Sequence, residues 1–255
     1  MSEQIYTIPV SEAFDETLAI GDGCPFCRLF NKLEANEIDL ILGASLMEPG
    51  TRIQTNKKGF CRAHYGMMLT GKNRLGLGLI IESHLNELIF DLDGDAISSL
   101  LGMKQAKIRK RLHELDGSCY VCDRLEYNFS RMLSNAVAFW FEDGDFRRRA
   151  GEQKFICLPH LGMWLETAKN ELKKGFSEFA EAVTAPTRRY MAELKEDVSR
   201  FCRKFDYRND AEPWGTSKDS LERAKRLLCG DIHEKVVPLR RPADENSCKK
   251  EPDNV

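Results

Sequence analysis

Apolar residues along most of this chain recur every three or four positions instead of alternating, so the pattern predicts helices and no strand. Over 28–42, polar Asn31, Glu34 and Asp39 stand among Leu29, Phe30, Leu33, Ile38 and Ile41 in helical order. Segment 43–59 holds Pro49, Gly50 and a polar run, and reads as a loop. Helices are expected over 61–69 and 75–92, with a break at Asp93-Gly94 and a basic helix over 97–115. A similar order then recurs: helix 123–141, a polar loop through Gly151, and helices 158–172 and 176–183. Thr184 and Pro186 supply a cap and a first-turn proline for a last helix to about Phe205. Past Asp206 the composition changes: 208–218 is loop-like, 220–228 fits one short helix, and 235–255 has the composition of a disordered tail.

Chemistry enters through a repeat. Cys24-Pro25-Phe26-Cys27 and Cys119-Tyr120-Val121-Cys122 are both C-x-x-C, while Cys61-Arg62-Ala63-His64 and Cys157-Leu158-Pro159-His160 are both C-x-x-H. Cys24 to Cys119 and Cys27 to Cys122 are each 95 positions, and Cys61 to Cys157 and His64 to His160 are each 96, so one inserted residue reconciles the halves. Beyond the clips, residues 64–69 and 160–165 share H-x-G-M-x-L, and Phe60 and Ile156 put an apolar residue before each C-x-x-H. The expected architecture is an all-α, internally duplicated helical bundle. Its first repeat spans 1–116 and its second 117–207, followed by a loop, short helix and tail over 208–255.

Cys3His is a structural zinc set, and residues three apart in a helix-start turn point the same way. Each half therefore offers two two-ligand clips, separated by 33 and 34 intervening residues, which leaves room for a helix out and a loop back. Pairing within each half is the natural expectation; Cys24 and Cys27 meeting Cys157 and His160 is the cross-braced alternative. Two zinc ions are the expected cofactors, with an iron–sulfur cluster as the alternative, since cysteine thiolates dominate such sites. Arg28, Lys58 and Arg62 flank one set of clips and Arg124 and Lys154 the other, an environment that favours thiolates. Four protein ligands leave no open position for water, so no catalytic residue is assigned and a non-enzymatic scaffold or interaction role leads. A thiol redox sensor or oxidoreductase using the C-x-x-C pairs is the alternative function.

Composition limits the partners. The 38 basic and 40 acidic side chains among 255 residues nearly cancel, which argues against a chain defined by nucleic-acid binding through its overall field. No apolar stretch approaches the roughly 20 residues of a membrane helix, and the first ten residues do not read as a signal peptide. A cytoplasmic protein with reduced thiols is expected, and nine cysteines there suggest metal or redox chemistry more than disulfides. The partner itself is left open by the sequence, with a protein as the candidate class.

Other features read as structure. His84 and Glu87 share a helix face in one copy only, so a packed or surface histidine is favoured over a metal pair. His113 and His233 read as solvated, and Cys202, Cys229 and Cys248 lie outside the repeat. The clusters 107–111 and 147–149 read as solvated basic faces. Pro213-Trp214-Gly215-Thr216-Ser217-Lys218 lacks phosphate-loop spacing and fits a cap on the bundle.

The clips, the Ser45-Leu46-Met47-Glu48-Pro49 segment, residues 55–61 and residues 207–218 together resemble an uncharacterised bacterial family, one of the domains of unknown function. The resemblance spans nearly the whole chain and implies no established activity. Members of that family sometimes carry an ABC-transporter substrate-binding label, whereas the helical pattern here is not a two-lobed α/β one.

Overall fold

The computed structural model describes residues 7–93, 104–209 and 213–231, and every regular element among them is helical. α1 (Thr7–Ile20) was not anticipated, although its buried Val10, Ala13, Phe14 and Thr17 follow the i, i+3, i+4, i+7 spacing of one helix face. α2 (Pro25–Leu42) starts inside the first clip, with Pro25 in the first turn, where its missing N–H costs nothing. The expected loop 43–59 instead holds a 3-10 turn (Ala44–Met47) and α3 (Pro49–Lys58). There Pro49 begins a helix instead of breaking one. α4 (Arg62–Thr70), α5 (Arg74–Asp93) and α6 (Lys104–Asp116) follow; residues 97–103 of the expected basic helix lie outside the described residues.

α7 (Tyr120–Glu142) is followed by a second short helix in a region read as loop, α8 (Gly144–Glu152). Its polarity hid it, but Asp143 caps it by accepting from the Asp145 amide at 2.8 Å. α9 (Leu158–Glu171) leads to α10 (Phe176–Arg203), one continuous helix where two were expected. Pro186 lies inside α10 and is buried, so packing there overrides the propensity of proline to start a new helix. Next to it, Thr187 Oγ1 accepts from the Ile156 amide at 3.0 Å and donates to the Ile156 carbonyl at 3.1 Å, pinning the residue before Cys157. Short 3-10 turns (Tyr207–Asn209, Gly215–Ser217) and α11 (Ser220–Cys229) complete the described fold. The expected tail, 235–255, lies outside the described residues.

Two apolar cores form along the α2–α7 pair. The larger is built on Phe14, Phe26, Trp140, Phe146, Trp164 and Phe179 and takes in Cys24, Cys27 and Cys157. The smaller gathers Ile38, Ile41, Leu42, Phe60, Met68, Leu77, Ile80 and Leu125 around Cys119. Phe30 and Leu33 touch both. α1 packs on α2, α7 and α8, so the N-terminal helix contributes to the core of the second half.

The basic clusters are largely engaged. Arg111 donates to the Lys57 and Asn56 carbonyls at 2.7 and 3.1 Å and to Asp91 at 2.6 Å, tying α3, α5 and α6 together. Arg149 pairs with Asp15 at 2.6 Å, and Arg147 stacks over Trp140 at 4.4 Å. These two clusters are therefore not simply solvated faces. Trp214 stands against Phe201 with 5.8 Å between ring centroids, as the capping role expects.

Candidate metal centres

All four clips share one local construction. Cys24, Cys61, Cys119 and Cys157 are the N-caps of α2, α4, α7 and α9, each with extended backbone. The second ligand of each clip, Cys27, His64, Cys122 or His160, is therefore the third residue of its helix. N-cap and third residue face each other across the first turn, and the unpaired amides of that turn present positive charge to the sulfurs. Side-chain distances agree with the arrangement: His64 Nδ1 lies 3.2 Å from Cys61 Sγ, and His160 Nδ1 lies 3.2 Å from Cys157 Sγ.

The helix starts converge in pairs across the halves. One set is Cys24, Cys27, Cys157 and His160; the other is Cys61, His64, Cys119 and Cys122, and within each the ligand atoms lie within 4.8 Å of one another. Pairing within each half, the natural expectation from sequence, is thus overturned in favour of the cross-braced one. The physical reason is that α2 and α7 lie side by side, bringing each C-x-x-C to the other half's C-x-x-H. The lysines three residues before each C-x-x-H follow the same crossing. Lys58 bonds Asp123 beside Cys122 at 2.6 Å, and Lys154 bonds Asp22 beside Cys24 at 3.1 Å.

The dimensions suit a single ion in each set. In the buried set, Cys27 Sγ stands 3.6 Å from Cys157 Sγ, and His160 Nδ1 stands 3.9, 3.4 and 3.2 Å from Cys24, Cys27 and Cys157. In the shallower set, His64 Nδ1 stands 3.2, 3.2 and 3.5 Å from Cys61, Cys119 and Cys122, and Cys61 and Cys122 are 4.0 Å apart. A tetrahedron with zinc–ligand arms has edges of about 3.5–3.8 Å. Both groups could therefore hold a metal ion.

A family model described as a family of unknown function (DUF6062) matches residues 1–235. The chain belongs to that family. No curated protein and no solved structure matches it.

Within this DUF6062 chain the two sets differ in their surroundings. His64 turns Nε2 to Glu34 Oε1 at 3.1 Å, which fixes Nδ1 as the free ligand nitrogen. Glu34 is buried, and its second oxygen has no hydrogen-bond partner. Cys61 and Cys122 remain half-buried. In the other set all four residues are buried, and the His160 ring lies 6.1, 6.4 and 5.2 Å from those of Phe26, Phe30 and Phe129. The Asp231 amide, just past α11, donates to Cys27 Sγ at 3.3 Å, and the Asp231 carbonyl accepts from Asn31 at 2.9 Å.

Without a metal, protons take up the strain. Burial opposes a charged His64, but hydrogen bonds to Cys119 and Glu34 outweigh it and push the imidazole up to about 10. The Cys122 side chain draws Cys119 down to about 3 while Cys119 in turn pushes the Cys122 thiol far up. In the buried set, burial opposes ionisation of Cys24, yet hydrogen bonds from Cys157, Cys27 and His160 hold it well below the usual thiol range. Neighbouring sulfurs push Cys27 and Cys157 up. Each set thus keeps one ready thiolate and carries at least two protons that a cation must displace.

His84 joins neither set. Its Nδ1 meets the Asn56 carbonyl at 2.8 Å, and the ring packs on Gly59, whose φ is 59°. It is a packed histidine, and burial holds its pKa below the usual imidazole range. His113, Cys202 and Cys229 are exposed; His233 and Cys248 lie outside the described residues. Sequence reasoning missed Glu34, although it stands at i, i+4, i+7 with Ile38 and Ile41 on the buried face of α2. Asp231 carries no comparable sequence signal, since its backbone does the work.

Proposed function

We propose that this protein holds two structural zinc ions, one in each Cys3His set, and acts as a non-catalytic helical scaffold for a protein partner. The observation that carries this reading is that each set closes four ligands around one point and joins helix starts far apart in sequence. Such an ion clips α2 to α9, or α4 to α7, and its binding free energy becomes folding free energy. Four ligands complete a tetrahedron, which supports a structural and not a hydrolytic ion. An iron–sulfur cluster distributes its cysteines over separate irons, holding the sulfurs farther apart than the edges of a one-ion tetrahedron. The tight spacing within each set therefore favours zinc over the cluster.

The same reading extends to organisation. The halves 1–116 and 117–207 are copies of one helix-and-clip unit, interlocked because each lends its C-x-x-H to the other. Reduced thiols fit a cytoplasmic setting; no described helix is long and apolar enough to cross a membrane. A protein partner is supported by α5, which leaves Leu75, Leu85, Ile89 and Phe90 exposed. Elemental analysis with a visible spectrum after anaerobic purification tests the proposal. Two zinc ions per colourless chain is the expected result, and a brown protein carrying iron and sulfide overturns it.

A further inference from the structure

The two sets offer their sulfurs to solvent very unequally. Cys24, Cys27 and Cys157 are 4%, 3% and 0% exposed, whereas Cys61 and Cys122 are half-buried, belong to one set and stand 4.0 Å apart. The third sulfur of that set, Cys119, is buried and lies 3.2 Å from His64 Nδ1. Amide hydrogen bonds draw electron density from a thiolate and make it a poorer nucleophile. In the buried set the Asp231 amide does this at Cys27, 3.3 Å away. The shallower set also has the buried Glu34 carboxylate on its imidazole, adding negative charge next to an ion–thiolate centre whose formal charge is already −1.

We infer that Cys61 and Cys122 form an oxidative modification site, at which hydrogen peroxide converts the two thiolates to a disulfide and releases the ion they share with Cys119 and His64. This rests on the two-zinc reading above and assigns a regulatory role to one of its sites. The chemistry balances. One thiolate attacks the peroxide O–O bond, giving a sulfenic acid and hydroxide. The second thiolate displaces hydroxide from the sulfenyl sulfur, forming the S–S bond, and two protons convert both hydroxides to water. Peroxide gains two electrons, the sulfurs lose two, and zinc departs as the dication because two of its four ligands are gone. The product joins the start of α4 to the first turn of α7, across the two halves. The buried set keeps its ion and preserves the larger core.

The test uses the full-length zinc-loaded chain. Metal content is measured first; hydrogen peroxide is then added with a chromophoric chelator, and disulfides are mapped by peptide mass spectrometry. The expected result is release of one zinc per chain, at least about tenfold faster than the second, with a Cys61–Cys122 disulfide that dithiothreitol and added zinc reverse. Loss of both ions together, a Cys24–Cys27 or Cys119–Cys122 disulfide, or retention of both ions overturns the inference. A starting content below two zinc ions refutes the underlying two-site reading instead, so the two failures are distinguishable. The Cys61→Ser chain provides a second arm: its remaining ion is expected to resist peroxide as the slow one does, and rapid release there also overturns the inference.

Discussion

The two ligand sets are built from the same local parts and set in different surroundings. In both, an N-cap cysteine and a third-residue ligand share the first turn of each contributing helix. Yet one set lies inside the larger, aromatic-rich core, its histidine among Phe26, Phe30 and Phe129, and the other borders the smaller core with a carboxylate on its histidine. The local sequence specifies a candidate ligand pair; the long-range packing decides how wet and how charged each candidate centre is. α2 shows this most directly, because it supplies Cys27 to one set and Glu34 to the support of the other, two helical turns on.

Four perturbations separate the sets, in descending order of effect. Cys157→Ser removes a fully buried ligand, and its cost is expected to reach about 4 kcal/mol or more, the range reserved for loss of a metal site. Thermal unfolding and metal counting check this. Cys122→Ser should cost roughly half as much, and equal costs would show that depth does not distinguish the sets. Glu34→Gln should lower zinc affinity of the shallower set by about 10- to 100-fold, leaving the buried set unchanged in a chelator competition.

Acidification affects both. Cys122 and His64 in one set, and Cys27 and Cys157 in the other, hold protons in the metal-free protein that zinc must displace. Affinity therefore falls as pH falls, by up to about 100-fold per unit for two protons released. The pH dependence of competition titrations measures it, and a flat profile contradicts it. The smallest effect is Gly59→Ala, which strains a φ of 59° and sets a Cβ 3.1 Å from His84 Nε2. About 1–2 kcal/mol is expected, with any loss of zinc confined to the Cys61 set.

Much of this was legible in the sequence. The eight candidate ligands declare themselves because two spacings recur together, and the long helices because their apolar period is unambiguous. What escaped had physical reasons. α3 and α8 are short and polar, so periodicity is silent and only Pro49 and the Asp143 cap mark them. Pro186 looked like a start because local propensity carries no information about the packing that buries it within α10. The crossing of the clips was open for a similar reason. Spacing gives the ligands of a pair, whereas their partners depend on how α2 and α7 meet.

That crossing is the central claim, and cadmium-substituted protein tests it most directly. Scalar couplings between bound cadmium and cysteine β protons identify which thiolates share an ion. One cadmium should couple to Cys24, Cys27 and Cys157 and the other to Cys61, Cys119 and Cys122. A cadmium coupled to Cys24, Cys27 and Cys61 would contradict the account.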